Sequence, residues 1–419
     1  MSDQNNKHLE AIKAIQRKLL GKRLTEREIY NLMDEIAHHR LSEVLTAYFV
    51  ASSFREGYTP NELYYFTKAM VETGNRLKFK GMVADKHSTG GVAGTRTTMI
   101  IVPIIASAGI IIPKVSSRAI TSPAGTADTM EVLAQVNFTP RQVQQIVDKV
   151  GGCIVWNEYL NIAPADDVLI KVEEPLSFES FDKIIISIMA KKVAVGSTHL
   201  ILDIPVGKTM KIRHFHDAEK VKNKFRNLAG KFKIKLAFDV SETLEPAGRG
   251  IGPALEVRDV LYVLEQKPQR PLKLEAKALR LAGKLLDMCF TDLKIKKSGE
   301  DEAKRILREG NALSKFREII KAQKGDDQVS SDKFRLKSKI FEIKSSDNGK
   351  IKEINNYNIN SLAKILGAPI DKFAGIYLYK KIDEFVEKGE PLMSFYSSDK
   401  FKLKEAEISL KSFPVYDIE

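Results

Sequence analysis

Two stretches of this sequence, rich in glycine and hydroxyl residues, have the composition of anion-binding loops. The first is DKHSTGGVAGTRTT, residues 85–98, and the second is SSRAITSPAGTADTMEVL, residues 116–133. Glycines let backbone N–H groups approach an oxyanion, hydroxyls and a lysine or arginine can bind it, and a helix that begins in the loop adds further donors. Each stretch could also be only a tight turn or a helix cap. Together they could hold one anion, or two anions on one ligand.

The first stretch lacks the G-x-x-x-x-G-K-[ST] order of a P-loop, so it does not indicate nucleoside triphosphate hydrolysis.

A third motif, SIMAKK, covers residues 187–192. Ser187 and Lys191 are four positions apart and would share one face of a helix. Paired lysines near a helix end usually compensate the helix dipole at the surface. The pattern alone therefore indicates surface lysines.

Composition limits the classes of protein that fit. The chain has 419 residues, of which 43% are hydrophobic and 29% charged, so it can form two or three globular domains. Its net charge of +13 favours anionic partners. The lysines are spread along the chain and mixed with carboxylates, which favours a small anionic substrate over a nucleic acid.

The sequence carries no signal for export or for a membrane. No apolar run reaches the roughly 18 to 20 residues that span a bilayer, and the start lacks the pattern of a secretory signal. Cys153 and Cys289 stand alone in apolar surroundings, as expected for buried thiols in a reducing compartment. We therefore expect a cytoplasmic protein. With no metal-type cluster and no dinucleotide fingerprint, we expect no metal and no cofactor.

Hydrophobic periodicity predicts three kinds of structure along the chain. The first seventy or so residues read as helices, with capping boxes at Thr25 and Thr59 and a stop at Gly74. From about Met82, short β-branched runs alternate with amphipathic helices, which predicts an α/β unit with a parallel or mixed sheet. The end reads as a small α+β unit, in which two strands flank an Asn348-Gly349 turn.

The three motifs and their order resemble the thymidine/pyrimidine-nucleoside phosphorylase family. DKHSTGG is similar to its phosphate loop and SSRAITSPAGTADTME to its signature, and APAD (residues 163–166) and SIMAKK follow in family order. LGAPIDKFAGIYLYKKIDEFVEKGEPL is similar to its C-terminal domain. The AMP phosphorylase branch is the most similar one, since GCIVW, GSTH and GRGIGPALE also match it. Ser122 and Glu173 stand where the thymidine branch has a His and an Arg, which argues against thymine or uracil as the base.

The resemblance implies an α/β fold class: a small all-helical domain and a large α/β domain with a mixed sheet, facing each other across a cleft, and a C-terminal α+β subdomain. The implied helical domain comprises residues 1–74 and 158–196, the α/β domain residues 75–157 and 197–334, and the C-terminal subdomain residues 335–419. The family also implies a homodimer formed through the helical domain.

The site residues follow from the resemblance alone. It places the attacking phosphate at Lys86, Ser88, Gly90, Gly91, Thr98, Ser116 and Thr126, with Thr97 as an alternative to Thr98. It places the substrate at Gly91, Ser117, Arg118, Ala119, Ile120, Thr121, Ser122, Thr126, Ser187, Lys191 and Lys211. In the AMP branch the general acid is an Asp at the position of Glu179, which could here instead be an exposed residue at the start of a helix. His87 is the other candidate proton donor.

The expected reaction is phosphorolysis of a nucleoside 5′-monophosphate, AMP first, to free base and ribose 1,5-bisphosphate, with inorganic phosphate as co-substrate. The alternatives are a thymidine or pyrimidine-nucleoside phosphorylase and a non-catalytic nucleotide-binding relative. No nucleic acid and no membrane is expected as a partner.

Overall fold

The computed structural model describes residues 2–119, 122–173 and 180–419. The first four helices are α1 (Ser2–Leu19), α2 (Glu26–Ala37), α3 (Glu43–Glu56) and α4 (Pro60–Glu72). The capping boxes predicted at Thr25 and Thr59 are confirmed, since each hydroxyl accepts from the N–H of the third helical residue and that residue's carboxylate accepts in return. The two helix starts are thus fixed by their local sequence.

The central part of the chain alternates strands and helices. Its first section is β1 (Ala84–Ser88), α5 (Thr98–Ser107), β2 (Ile112–Ser116), α6 (Thr126–Glu131), α7 (Pro140–Val150) and β3 (Gly152–Trp156). Two helices follow, α8 (Pro164–Glu173) and α9 (Phe181–Val195). The second section is β4 (His199–Val206), α10 (Phe215–Lys231), β5 (Lys235–Glu242), β6 (Gly250–Ile251), α11 (Pro253–Leu264), α12 (Leu272–Leu293), α13 (Gly299–Arg308) and α14 (Asn311–Ala322).

The C-terminal unit consists of β7 (Lys339–Lys344), β8 (Gly349–Ile354), α15 (Asn356–Ile365), β9 (Gly375–Leu378), β10 (Phe385–Val386), β11 (Pro391–Ser397), α16 (Lys400–Ser409) and β12 (Tyr416–Ile418). Its strands pair antiparallel in two sheets, of order β6-β9-β11-β7 and β10-β8-β12. The strands predicted on either side of Asn348-Gly349 are present, but they pair in different sheets. The longer β11 is the partner of β7, and β8 pairs with β10 and β12.

The sheet of the α/β unit is parallel in every ladder among the described residues. The strand orders are β1-β4-β5 and β2-β3, and a parallel bridge between Val83 and Ile111 joins the two groups. The mixed sheet expected from the sequence is therefore parallel here, and antiparallel pairing belongs to the C-terminal unit. Since parallel strands end at one edge, the segments that follow β1, β2 and β4 meet there, which is where α/β sheets bind their ligands.

The helical unit faces this edge. The helices α8 and α9 leave the α/β unit and pack against α2, α3 and α4. The two chain crossings lie side by side, since Asn75 donates from its backbone N–H to Asn161 O at 2.8 Å and from its amide to Leu160 O at 2.9 Å. Position 74, after α4, requires glycine because a Cβ there would lie 2.5 Å from Pro164 Cδ. Its backbone is not in the left-handed region.

One hydrophobic core runs through the helical and α/β units, and a second fills the C-terminal unit. The helix α5 is buried from Thr98 to Ala106, as its apolar sequence predicts.

Cys153 and Cys289 are buried free thiols, and burial raises the pKa of both. None of the helices in the described parts of the chain combines the length and apolar character needed to cross a membrane. The predicted fold class is confirmed, while the domain boundaries stay a prediction.

Candidate active site

A cavity of about 230 Å³ lies between the carboxyl edge of the parallel sheet and the helical unit. Most of the residues that the sequence assigned to the site line it. These are Lys86, His87, Ser88, Gly90, Gly91, Thr98, Ser116, Ser117, Arg118, Ser122, Thr126, Ser187, Lys191 and Lys211. Ala119 does not line it, and Ile120, Thr121 and Glu179 lie outside the described residues. The fold thus brings four separate segments of the chain to one place.

The glycine-rich loop after β1 borders the cationic end of the cavity. Gly90 and Gly91 have φ angles of +87° and +86°, which L side chains rarely adopt. A Cβ on Gly91 would also lie 3.1 Å from Lys211 Cγ, so the side chain of Lys211 covers this glycine. The hydroxyl of Ser88 accepts from Gly90 N–H at 3.3 Å. The loop begins at a strand end and leads to the N-terminus of α5, which has no acidic residue in its first turn.

Lys86 is a buried cation that makes only a long ion pair among the described residues. Its Nζ lies 3.5 Å from Thr98 Oγ1 and 3.9 Å from Asp203 Oδ2, which pairs with Lys277 at 2.9 Å. Burial lowers the pKa of Lys86 to about 8. Of the two candidate threonines, Thr98 lines the cavity, while the hydroxyl of Thr97 is buried outside it. A bound anion would stabilise the charged form of Lys86.

A second buried cation lies under the glycine loop. Lys114 on β2 donates from Nζ to Lys86 O at 2.8 Å and lies 3.8 Å from Asp85. Asp85 in turn pairs with Lys192 at 2.7 Å and accepts from Ser197 Oγ at 3.0 Å. Burial and the neighbouring cations hold the pKa of Lys114 well below its usual range. The floor of the cavity therefore carries more lysines than carboxylates, and an anion bound there would favour their charged forms.

His87 is held neutral by this arrangement. Burial and the surrounding ammonium groups of Lys114, Lys192, Lys191 and Lys86 hold the pKa of the imidazole well below 6.5. Its Nδ1 has no hydrogen-bond partner among the described residues. At neutral pH the ring therefore offers one N–H donor and one nitrogen acceptor to a ligand, and not the proton of an imidazolium.

The second loop is organised by an internal ion-pair network. Arg118 donates to Asp128 at 3.0 Å and to both oxygens of Glu131 at 2.6 Å, and its guanidinium lies 4.4 Å from the ring centre of Trp156. The same Asp128 carboxylate accepts from the N–H groups of Ala119 and Gly125 at 2.7 and 2.9 Å. These contacts explain why Ala119 faces the loop and not the cavity. They also assign Arg118 to holding the loop in shape at the cavity wall.

Arg96 joins the two loops, although the sequence did not single it out as a site residue. Its guanidinium donates to Thr126 Oγ1 at 3.1 Å and to Ala124 O at 2.6 Å, and pairs with Glu256 at 2.6 Å. Thr126 lines the cavity as the first residue of α6. The two loops are therefore one hydrogen-bonded unit and not independent turns.

The SIMAKK motif is buried, so its interpretation as surface lysines is wrong. Lys191 is only 5% exposed and pairs with Asp166 of the APAD motif, and Ser187 Oγ donates to the same oxygen of Asp166 at 2.9 Å. The pKa of Lys191 is raised: burial alone would lower it, but the pairing with Asp166 outweighs that effect. The paired lysines near a helix end predicted exposure, but α9 packs against the sheet as well as against the helical unit and buries them.

The other end of the cavity is apolar and aromatic. Phe49, Tyr58, Phe66, Met70, Leu169 and Ile184 line it from the helical unit. Phe66 packs against Phe49 and Tyr58, with ring centres 5.7 and 4.6 Å apart. Glu173 and Lys183 lie beside this wall as a pair at 2.5 Å. The cavity thus has a cationic end on the α/β unit and an apolar end on the helical unit.

Several site residues escaped the sequence analysis. A lysine inside the apolar run of β2 was a usable signal for Lys114, since lysine is rarely buried without a partner. The role of Asp128 could not be read from spacing, because its partners depend on how the loop folds back.

Among the described residues, no group of three or more His, Cys, Asp or Glu side chains could hold a metal ion.

Three family models match the chain in order. The helical bundle domain of a glycosyl transferase family matches residues 12–74, the a/b domain of that family matches residues 80–313, and the pyrimidine nucleoside phosphorylase C-terminal domain matches residues 350–414. The a/b domain model alone covers more than half of the chain. The matched segments correspond to the three units of the fold.

Relatives with assigned names are similar over almost the whole chain. The AMP phosphorylase of Thermofilum pendens is 45% identical over 398 residues, 95% of this chain and 76% of the relative. AMP phosphorylase 1 of Archaeoglobus fulgidus is 40% identical over 397 residues, 94% of this chain and 78% of the relative. A putative thymidine phosphorylase of Rhodopseudomonas palustris is 43% identical over 392 residues, 93% of this chain and 75% of the relative.

Among solved structures, anthranilate phosphoribosyltransferase from Thermus thermophilus has a similar fold, with a TM-score of 0.61 and 17% identity. The match covers 74% of this chain and 99% of that one. At this identity the likeness concerns the fold alone. The family models and the relatives carry the assignment: the chain belongs to the thymidine/pyrimidine-nucleoside phosphorylase family of glycosyl transferases, in which AMP phosphorylases are close relatives.

Proposed function

We propose that the protein cleaves the N-glycosidic bond of a nucleoside 5′-monophosphate, AMP first, with inorganic phosphate. The products are the free base and ribose 1,5-bisphosphate. As a member of its family the protein is a pentosyltransferase. The AMP phosphorylases at 45% and 40% identity support the nucleotide as substrate.

The single observation that carries the proposal is the division of the cavity into two ends. Lys86 and Lys114 form a buried cationic end, and the wall around Phe66 forms an apolar end. A nucleotide and a phosphate ion present the same division, with oxyanions at one end and a flat heteroaromatic base at the other. A ligand lying across the cavity would place its ribose between the two ends.

Phosphorolysis requires a phosphate oxygen to attack C1′ while the bond from C1′ to the base nitrogen breaks. The C1′–O bond forms, and the departing base takes a proton. We assign the attacking phosphate to Lys86, Ser88, Gly90, Gly91, Thr98, Ser116 and Thr126. Fixed donors in a buried site stabilise the developing charge and hold the reactants in place, which together supply most of such an acceleration.

The nucleotide is assigned to the rest of the polar wall. Its proposed contacts are Gly91, Ser117, Arg118, Ile120, Thr121, Ser122, Thr126, Ser187, Lys191 and Lys211, without Ala119, which faces away from the cavity. Glu173 at the position of the thymidine branch's Arg supports a base other than thymine or uracil, because a carboxylate cannot donate hydrogen bonds to two carbonyl oxygens. The apolar neighbourhood of the pair of Glu173 with Lys183 strengthens any hydrogen bond that it makes to a base.

The proton donor is assigned to Glu179, with His87 as the second candidate. Glu179 immediately precedes Ser180, the residue that caps α9, and α9 carries Lys183, Ser187 and Lys191 along the cavity. A carboxylic acid can protonate the departing base where burial keeps it protonated near neutral pH. A neutral His87 can donate a hydrogen bond, but its low pKa argues against it as the main acid.

The deciding experiment incubates the protein with phosphate and, separately, AMP, CMP, UMP, uridine or thymidine, and quantifies free base. We expect base from AMP. Base from thymidine or uridine and none from AMP would assign the protein to the nucleoside phosphorylases instead. If no substrate releases base while AMP still binds, the protein is a non-catalytic nucleotide-binding relative.

Glu179→Gln tests the general acid. We expect a loss of kcat on AMP of about 10² to 10⁴-fold, the usual contribution of a positioned acid. Glu405→Gln, at an exposed carboxylate of α16, is the matched control. Unchanged turnover of the Glu179 variant would transfer the role to His87.

We further propose a cytoplasmic homodimer whose partners are small molecules and not nucleic acid, without a cofactor besides the co-substrate phosphate. Free buried thiols suit a reducing compartment. Large apolar side chains are exposed on the helical unit, among them Val44 at 65% and Tyr48 at 54%. Light scattering on the wild type and on Tyr48→Glu tests the dimer, since a charge in an apolar interface would shift the mass to that of the monomer.

A further inference from the structure

The glycine loop has a second side, which is embedded in the C-terminal unit. The side chain of Ala93 is 1% exposed and belongs to the hydrophobic core of that unit, with Ile251 and Ile359. A Cβ on Gly94 would lie 2.7 Å from Gly250 O. The loop therefore lies between the cavity and a unit that contributes no residue to the lining of the cavity.

Asn356 makes the polar contacts on this second side. It is the first residue of α15 and is fully buried. Its Oδ1 accepts from Ala93 N–H at 2.9 Å, and its Nδ2 donates to Gly91 O at 2.6 Å and, more weakly, to Thr209 O at 3.4 Å. One side-chain amide thus satisfies a donor and an acceptor of the loop together, which neither an apolar side chain nor a carboxylate can do.

These bonds fix the orientation of a peptide group at the cavity. In a trans peptide the C=O and the N–H point in opposite directions. Holding Gly91 O against Asn356 therefore directs the N–H of Val92 away from the C-terminal unit, and Val92 lines the cavity. The bond to Thr209 O also ties the loop to the segment that carries Lys211, whose side chain covers Gly91.

We propose that Asn356 is a positioning residue for the oxyanion site. Its amide holds the backbone from Gly91 to Ala93 in the conformation that binds phosphate, and it acts without touching the ligand. The inference rests on the proposed function in one respect, that the oxyanion of the cavity is phosphate. It adds a role for the C-terminal unit, which no residue of the cavity wall reveals.

The helix α15 supplies a graded set of variants. Asn358 has the same side chain two residues away, and its amide donates only within the C-terminal unit, to Pro414 O at 2.7 Å. Asn360, one turn after Asn356, reaches Gly91 O at 3.4 Å and is the weaker of the two contacts. Replacing each by alanine separates a loss of positioning from a general loss of stability.

The test measures binding of inorganic phosphate to the full chain by isothermal titration calorimetry, together with the KM values for phosphate and AMP and the thermal midpoint. We expect Asn356→Ala to raise the Kd and KM for phosphate by about tenfold or more, since small displacements of binding groups are costly. The KM for AMP should rise less, by about threefold at most, because most of the contacts assigned to the nucleotide lie outside this loop. Asn360→Ala should raise the phosphate values by about two- to threefold, and Asn358→Ala should leave them unchanged.

Three results would overturn the inference: unchanged phosphate binding in a folded Asn356→Ala, an equal rise of both KM values, or an equal effect of Asn358→Ala. If Asn356→Ala does not fold, unchanged phosphate binding in Asn360→Ala overturns it. Failure of the proposed function looks different, because the wild type itself would then neither bind phosphate nor release base from AMP.

Discussion

Gly125 offers a direct test of the claim that the second loop is held in a fixed shape. It precedes α6 with φ at −88°, a conformation open to any residue, so alanine would cause no backbone strain there. The neighbouring backbone leaves no room for a side chain at this position. A Cβ on Gly125 would lie 2.4 Å from the carbonyl carbon of Arg118, 2.6 Å from Ala119 N and 2.7 Å from Ser117 O. All three atoms belong to the backbone of the loop.

The size of the effect follows from these distances. Ordinary contacts begin near 3.4 Å, so the backbone at Arg118 must move by about 1 Å to admit the methyl group of Gly125→Ala. Displacing binding groups by that amount costs about 10²-fold in rate, or about 3 kcal/mol of transition-state stabilisation. We therefore expect kcat/KM on AMP to fall by about a hundredfold. The ion pairs between Arg118, Asp128 and Glu131 should oppose the shift and add to the cost in stability.

The assay is steady-state release of adenine at saturating phosphate, with a thermal melt for each variant. Gly230→Ala is the matched control, because a Cβ at this position of α10 meets nothing within 4 Å. That variant should keep its kinetics and gain up to about 1 kcal/mol of stability from the better helix propensity of alanine. Gly125→Ala with activity within about threefold of wild type would refute the reasoning, since the loop would then tolerate the displacement.

Three further predictions concern buried charges. Burial lowers the pKa of Lys86 to about 8, and its ammonium form is the proposed ligand of the anion, so phosphate affinity measured by calorimetry should fall as the pH rises above about 8. A constant affinity to about pH 9.5 would exclude Lys86 from the phosphate site. Lys192→Met removes the closest partner of buried Asp85 and should lower the free energy of unfolding in urea by about 3 kcal/mol; a change below about 0.5 kcal/mol would contradict the pairing. Burial raises the pKa of the Asp167 carboxyl from 3.8 to about 7, so the folded state binds the carboxyl proton more tightly than the unfolded chain. The free energy of unfolding of the wild type should therefore fall as the pH rises from about 4 to about 7. Asp167→Asn should lack this fall in urea titrations at a series of pH values, and equal pH profiles would refute it.

The sequence predicted much of the local structure for local reasons. The capping boxes at Thr25 and Thr59 require only residues three positions apart, so they could be read without a fold. Composition also predicted that the two glycine-rich stretches are anion-binding loops, and both line the cavity. The strands on either side of Asn348-Gly349 were also predicted, but a turn signal does not say which strand each neighbour will pair with. Lys191 was misread from its pattern because helix periodicity does not reveal what lies on the other side of the helix.

The chain by itself determined the family, the order of its units and the segments that carry the site, because these depend on residue types and on spacing along the chain. Tertiary structure decided which charges remain uncompensated. Lys86 is left available to an anion because Asp203, 3.9 Å away, pairs more closely with Lys277, a residue far along the sequence. It also decided that Asn356 holds Gly91, a contact across 265 residues that no local pattern encodes. Parallel strands ending at one edge brought these distant segments together, and packing against the helical unit gave the cavity its apolar end.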